Sequence, residues 1–326
     1  MALSTNTKLN GIRNLLSKKF PTKTSKWLGI IFAFLAAVIA GTINVIGKNL
    51  VDSQYTDVTS LNPINLAVFL GLITGLFFTP LAKNKISPRK INRKTLIFII
   101  LLGITDVAAL TTYFFGLSYT SAINASILTN TEFLFVILIA VVIFRERLFK
   151  NEILPIAMIV GGAVLLPLGL EMQGNNFTID NIVYGDFLIL LAAGFFAVDI
   201  SIARFVSKRT SAARISQLSA FAGVPFAILL IVIFNIPFDI HIQHIPNILF
   251  MGIFVTGLAY YFFILSLRFI GAIRTILIYS TTTVFGVMFA GIFLGENITF
   301  FDIASLGIVV FGVFLLRKKL AKIETD

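Results

Sequence analysis

The sequence predicts an all-α integral membrane protein with ten transmembrane helices, arranged as two inverted five-helix repeats with both termini in the cytoplasm. Three observations predict this fold class: the chain is very apolar, its basic residues alternate between connections, and its two halves share a pattern. Of the 326 residues, 57% are hydrophobic and only 13% are charged, whereas a soluble domain carries about 25% charged residues. We therefore expect a multi-pass protein of the cell membrane, with the lipid bilayer as its surroundings.

The apolar stretches are long enough to cross a bilayer, which requires about 20 residues of helix. Walking along the chain separates ten of them. They span residues 27–49, 64–82, 95–117, 122–144, 152–170, 184–206, 214–234, 246–267, 271–294 and 298–316.

The basic residues predict the orientation, because Lys and Arg of short loops stay on the cytoplasmic side. With ten spans, the 26 Lys and Arg fall in the two tails and in every second connection, and Lys48 is the one exception. Residues 1–26 are basic and contain no acid, so we expect a cytoplasmic tail and not a cleaved signal peptide. The net charge of +11 is therefore an orientation signal and does not predict a nucleic-acid partner.

The two halves of the chain share a pattern. The motif YFF-x-LS begins at Tyr113 and again at Tyr261, and residues 116–166 then align without a gap on residues 266–316. The aligned pairs include Thr131 with Thr281 and Glu146 with Glu296. An odd number of helices in each half reverses the second half in the membrane, which gives the inverted repeat of many secondary transporters.

The repeat predicts the organisation of the chain. We expect a basic tail at 1–26, a first repeat at 27–170, an external linker at 171–183, a second repeat at 184–317 and a cytoplasmic tail at 318–326. The repeats should superpose after a rotation of about 180° about an axis in the membrane plane.

Several motifs resemble the drug/metabolite transporter superfamily, and specifically its EamA-type members. They are the 5+5 helix pattern, the glutamate in "FRERL" at 144–148 and in "LGENI" at 294–298, and "LAA" at 35–37 followed by G-x-x-N at 41–44. The resemblance covers about residues 27–317. It implies a proton- or gradient-linked carrier of small metabolites, often an exporter of amino acids, that works by alternating access. Family members commonly carry a Pro about thirteen residues before the glutamate, where this chain has Phe133 and Thr283, which leaves open how these helices bend.

Other classes of function lack their motifs in this sequence. There is no HExxH, GxSxG or P-loop, and no cysteine, so we expect no enzyme, no metal site and no cofactor. The alternatives that remain are a small multidrug-type cation exporter, a nucleotide-sugar or sugar-phosphate exchanger, and a non-transporting membrane scaffold. Acids near mid-depth without a basic partner would favour binding of a cation or proton, and Lys48 in the cavity would favour a zwitterion or anion.

Three acids lie inside predicted helices, where an ionisable group is costly and normally faces the bundle interior or a water-filled cavity. Asp106 and Glu132 are near mid-depth by the 1.5 Å rise per residue, and Asp199 is nearer the cytoplasm. We predict that they bind the substrate or a coupling ion such as a proton. The alternative is a structural acid that pairs with a neighbouring Lys, Arg or hydroxyl.

Polar residues mirrored by the repeat supply the other candidates. "TNTE" at 129–132 aligns with "YSTT" at 279–282, and these clusters either line a cavity or form hydrogen bonds between helices. The further candidates for substrate binding or coupling are Asn44, Lys48, Tyr113, Asn130, Tyr261, Tyr279 and Thr282.

Three charged residues near predicted helix ends receive separate interpretations. Lys48, one turn after Asn44, could contact an anionic group such as a substrate carboxylate. Glu146 and Glu296 are expected to be structural and to cap the N-terminus of the helix that follows each of them.

The topology can be tested by introducing single cysteines, because the chain has none. We expect Ser87→Cys to react with an impermeant thiol reagent only from the cytoplasmic side and Ser53→Cys only from outside. The reverse pattern would contradict the orientation and the inversion of the repeat.

Overall fold

The protein is described here from a computed structural model, which describes residues 23–52, 54, 59–83, 92–142, 153–154, 157–158, 161–162, 165, 179–207 and 209–323. Over these residues it is helical, without a strand. The α-helices are α1 Lys23–Gly41, α2 Ile43–Val51, α3 Pro63–Lys83, α4 Arg93–Tyr119, α5 Ala122–Thr129, α6 Glu132–Val142, α7 Ile179–Ser207, α8 Ala212–Ile233, α9 Ile245–Phe250, α10 Tyr260–Ile270, α11 Ala272–Tyr279, α12 Thr282–Phe289 and α13 Phe300–Ile323. A π-helical segment, Met251–Ala259, joins α9 to α10, and another, Ala290–Leu294, follows α12.

Six helical segments of the described chain are long and apolar enough to cross a membrane. They are Trp27–Val51, Pro63–Ala82, Arg93–Tyr119, Tyr184–Ser207, Ala212–Ile233 and Ile242–Ile270. The protein is therefore a multi-pass integral membrane protein, as the sequence predicts. Of the other predicted spans, 152–170 lies mostly outside the described residues, so the total of ten stays a prediction.

Interruptions of the helices are the main departure from the continuous spans expected from the sequence. The first span is interrupted at Thr42, the fourth at 130–131 and the ninth at 280–281. Apolar composition reports only that a segment can enter the bilayer, and it does not report where its hydrogen bonding changes. The last helix also continues to Ile323, beyond residue 317 where the predicted second repeat ends.

The helices pack in a pattern that is preserved when the two halves are exchanged. Helix α4 packs on α7, and α10, its counterpart in the repeat, packs on α1. Helices α5 and α6 likewise contact α7, whereas α11 and α12 contact α1. The second helices of the two halves, α3 and α8, pack directly on each other. Each half thus builds its contacts largely from the other half.

Small residues allow the closest of these approaches, as is common where helices meet in lipid. A Cβ atom on Gly103 of α4 would lie 2.8 Å from the backbone nitrogen of Gly223 in α8, and against the carbonyl oxygen of Ser219. A Cβ atom on Gly223 would lie 2.8 Å from the carbonyl oxygen of Gly103. The two helices therefore cross backbone to backbone at this point.

Substitution of Gly103 tests this crossing. We expect Gly103→Ala to force α4 and α8 apart and to lower the free energy of unfolding by about 1–3 kcal/mol, the usual cost of overpacking. Gly307→Ala is the matched control, because no described atom lies within 4 Å of a Cβ at Gly307. Thermal unfolding of both variants in detergent measures the difference, and equal midpoints would contradict the close crossing.

Candidate functional site

A cavity of about 170 Å³ lies inside the helix bundle, far above the roughly 10–15 Å³ that one water molecule needs. Helices of both halves line it: α2, α3, α4 and α5 from the first half, and α7, α8, α10 and α12 from the second. Because its wall is shared, any movement of one half against the other changes the shape of the cavity.

The interruptions of the fourth and ninth spans both face this cavity. Thr131 donates its backbone N–H and its hydroxyl to the carbonyl oxygen of Leu128, at 2.9 and 2.7 Å. Its repeat partner Thr281 donates the same two groups to Ile278, at 3.1 and 2.6 Å. These bonds reach back three residues instead of the four of an α-helix, so both helices are interrupted at equivalent positions without the proline that the resemblance leads one to expect.

The interruptions bring the mirrored polar clusters to the cavity wall. The predicted residues Asn130, Glu132, Tyr279 and Thr282 all line the cavity, together with Thr129, Ser280 and Thr283. A discontinuous helix at the junction of two inverted repeats is the arrangement in which secondary transporters form a substrate site.

The three predicted acids also meet at this cavity. Asp106 of α4, Glu132 at the start of α6 and Asp199 of α7 all line this cavity. Thr105 donates a long hydrogen bond of 3.4 Å to Asp199. Among the described residues that line the cavity there is no Lys, Arg or His. The wall is therefore acidic without a basic side chain to balance it.

Asn44 and Tyr113 hold one side of the cavity in place. The Tyr113 hydroxyl donates to the side-chain oxygen of Asn44, and the Asn44 amide nitrogen donates to the hydroxyl of Ser126. These three residues join α2, α4 and α5, and all of them line the cavity. Gly286 of α12 lies directly against the Asn44–Ser126 contact, so the network lies where the two halves meet.

Tyr261, one of the predicted site residues, lies outside the cavity lining. The cavity is lined by Tyr260, whereas the Tyr261 ring packs on Phe78 with a centroid distance of 5.5 Å. Successive residues on a helix point about 100° apart because a turn contains 3.6 residues. On α10 the cavity is lined by Tyr260 and, three residues later, by Phe263, so Tyr261 falls on the neighbouring face.

Lys48 lies outside the cavity lining, and its ammonium group is engaged within the bundle. Its ammonium group forms an ion pair of 2.8 Å with Asp52, one turn later in the chain. It also donates to the carbonyl oxygens of Leu117 and Thr120, at 2.9 and 2.5 Å. Both carbonyls are at the C-terminal end of α4, where a helix attracts positive charge. Lys48 therefore joins α2 to the C-terminal end of α4.

Glu296 caps a helix, but not the helix that follows it. Its carboxylate accepts from the backbone N–H groups of Ala122 and Ile123, at 2.8 and 3.0 Å, at the start of α5 in the other half. The following helix, α13, is capped by its own residues: Asp302 accepts from the N–H of Thr299 at 2.8 Å, and the Thr299 hydroxyl accepts from the N–H of Asp302 at 3.2 Å. Glu146, which the repeat aligns with Glu296, lies outside the described residues.

The sequence reasoning missed the polar residues of α8 and the hydroxyl pair between α3 and the π-helical segment. Ser216, Ser219 and Gly223 line the cavity at spacings of three and four, which places them on one face of a helix. This spacing of small residues in an otherwise apolar helix is the feature of the sequence that indicates a cavity-facing surface. Thr74 and Thr256 also line the cavity, with their hydroxyls 2.8 Å apart.

Comparison with known proteins agrees with this arrangement. The EamA-like transporter family matches residues 27–167 and again residues 183–318. An uncharacterized transporter of Methanothermobacter thermautotrophicus is 28% identical over 274 residues, which cover 79% of each chain. An uncharacterized transporter of Clostridium kluyveri is 23% identical over 290 residues, covering 87% of this chain and 91% of that protein. A solved structure titled only "Crystal structure of protein" shares the fold with a TM-score of 0.62 at 16% identity, over 90% of this chain and 98% of that one.

The family match and the transporter relatives define the class of this multi-pass protein, which is a membrane transporter. The two matches cover most of the chain, which belongs to the EamA-like transporter family. Membership confirms the resemblance to the drug/metabolite transporter superfamily that the sequence motifs indicate.

Variants of the Lys48–Asp52 pair distinguish a structural role from a substrate contact. We expect Lys48→Met to lower the free energy of unfolding by about 3–5 kcal/mol, because it leaves Asp52 buried without its counter-ion. Adding Asp52→Leu should restore part of this loss. Thermal unfolding in detergent measures both variants. Unchanged stability of Lys48→Met, with loss of transport only, would contradict the structural role.

Proposed function

We propose that the protein is a secondary active transporter that exports small metabolites by alternating access. The observation that carries this proposal is the cavity that both halves line, with an interrupted helix from each half in its wall. Rocking of one half against the other would open such a cavity to one side of the membrane and then to the other. The proposed direction of transport rests on the family, whose resemblance implies export.

The charge of the cavity favours a substrate that carries a positive group. Asp106, Glu132 and Asp199 face the cavity, and no described lining residue is basic. A free amino acid or a sugar phosphate would bring an anionic group that finds no counter-ion on this wall, and Lys48 is bound elsewhere. Export of free amino acids is therefore supported only by the resemblance to the family.

We assign coupling to Glu132. It lies at the interruption of the fourth span and lines the cavity, with 7% of its surface exposed. Its repeat partner is Thr282, so the fold forms this turn without an acid. An acid that the fold does not need, in a place where a charge is costly, fits the role of binding a coupling proton in exchange for the substrate.

One end of the bundle is joined by polar contacts that alternating access would have to break. Glu296 of the second half holds the start of α5 in the first half. The hydroxyl of Thr120, at the end of α4, donates to Asp186 of α7 at 2.5 Å. We propose that these contacts form the closed gate of the described conformation, at the end that the sequence predicts to be external.

Replacement of Glu132 tests the coupling. In liposomes, with a substrate found by a thermal-shift screen of the purified protein, Glu132→Gln should reduce transport driven by a proton gradient at least about tenfold, a loss typical of removing a group that carries the proton. Exchange of internal for external substrate should persist, because it needs no net movement of protons.

Glu132→Asp is the matched control, since it keeps an acid at this position and should retain gradient-driven transport. If the Gln variant transports at the parent rate with the same pH dependence, then Glu132 is structural and the coupling proposal is wrong.

A further inference from the structure

Several hydroxyl groups of the cavity wall are satisfied by backbone carbonyls of the protein. Thr129 donates to the carbonyl oxygen of Ala125 at 2.5 Å, and Thr282 donates to that of Tyr279 at 2.6 Å. Thr74 donates to that of Gly252 at 2.8 Å. The bilayer core supplies no water to hydrogen-bond polar groups, so a membrane-spanning helix must satisfy them within the protein. These three hydroxyls are satisfied in this way.

Two lining groups depart from this rule. The amide nitrogen of Asn130 and the hydroxyl of Ser216 have no hydrogen-bond partner among the described residues, although both residues line the cavity. Asn130 is 4% exposed and Ser216 is 1% exposed. A buried group left without a partner costs about 1–3 kcal/mol, so the fold keeps these two groups at a cost that a bound molecule can remove.

The chemistry of the two groups defines what they can bind. An amide nitrogen can only donate, and a hydroxyl can donate through its single proton. Their common complement is an acceptor oxygen. A carboxylate oxygen is a poor choice, because Asp106 and Asp199 share the cavity and would repel it. A neutral carbonyl oxygen accepts the same hydrogen bonds without that repulsion.

The remaining wall contributes the other two features of the ligand. Asp106 of α4 and Asp199 of α7 line the cavity from helices that pack together. Phe196, Ile200 and Phe263 provide apolar surface in the same cavity. A cavity of about 170 Å³ limits the ligand to a small molecule.

We infer that the cavity binds a small primary amine that carries a neutral carbonyl oxygen and an apolar side chain, as in an amino-acid amide, and that it discriminates against the free amino acid. Asp106 and Asp199 bind the ammonium group, and Asn130 and Ser216 donate to the carbonyl oxygen. This inference rests on the proposed transport function and adds to it the class of substrate.

Three probes that share one side chain separate these features. Leucinamide has the ammonium group and a neutral carbonyl, leucine replaces the amide with a carboxylate, and 3-methylbutylamine lacks the carbonyl group. Calorimetric binding to the purified protein at a fixed pH should give the tightest binding for leucinamide. We expect 3-methylbutylamine to bind about 25-fold more weakly, because it lacks two hydrogen bonds that are each worth about fivefold. Leucine should bind at least about tenfold more weakly, because an unpaired buried charge costs more than a neutral group.

Variants assign the roles. Asn130→Leu and, as the smaller change, Ser216→Ala should each reduce the preference for leucinamide over 3-methylbutylamine while leaving the binding of 3-methylbutylamine unchanged. Asp199→Asn should weaken both amines. Thr111→Val is the matched control, because the Thr111 hydroxyl is also buried without a partner but does not line the cavity, and it should leave all three affinities unchanged.

The inference is overturned if leucinamide does not bind, if leucine binds equally well, or if neither Asn130→Leu nor Ser216→Ala changes the preference between the two amines. The last result would mean that water satisfies both groups. Because binding is measured without a gradient, these outcomes are independent of the Glu132 experiment. A failure of proton coupling would leave the affinities in place, and a failure of the affinity pattern would leave transport in place.

Discussion

Two breaks in helical hydrogen bonding, at equivalent positions of the two halves, shape the cavity wall. In a bilayer no water is available to satisfy a backbone group that leaves the helical pattern, so an interruption needs a partner within the protein. At each break, the carbonyl oxygen three residues earlier accepts both the backbone N–H and the side-chain hydroxyl of Thr131 or Thr281. Because they occupy equivalent positions in the repeat, the polar residues beside them reach the cavity from both halves.

The start of α5 follows the same rule at the end of the bundle. The first N–H groups of a helix have no partner within the helix. In α5 the first three of them, those of Ala122, Ile123 and Asn124, each donate to a side chain outside the helix. Glu296 accepts from those of Ala122 and Ile123, and the Ser121 hydroxyl accepts from that of Asn124 at 3.0 Å. The preceding Gly295 adopts the left-handed conformation, with φ of 68°, which turns the chain back so that Glu296 can reach across. A backbone requirement in one half is thus met by a side chain of the other.

The sequence predicted the acidic wall more successfully than the details around it, for physical reasons. A carboxylate in an apolar helix is costly enough to be conspicuous, and Asp106, Glu132 and Asp199 all line the cavity. Hydroxyls carry no such signal, so Ser216 was missed. Tyr260 lines the cavity and Tyr261 does not, because the rotation of a helix about its axis depends on packing against partners distant in the chain. The fold class followed from composition, but composition does not report where the hydrogen bonding of a helix changes.

The ion pair of Lys48 lets the first span carry a buried lysine without an isolated charge. Lys48 is the one basic residue that does not fit the predicted distribution of Lys and Arg, yet its ammonium group lies 2.8 Å from the carboxylate of Asp52. Because an unpaired buried charge is strongly destabilising, a lysine at this position depends on the acid one turn away. The two positions therefore act as a unit, in which a change of charge at one position calls for a matching change at the other.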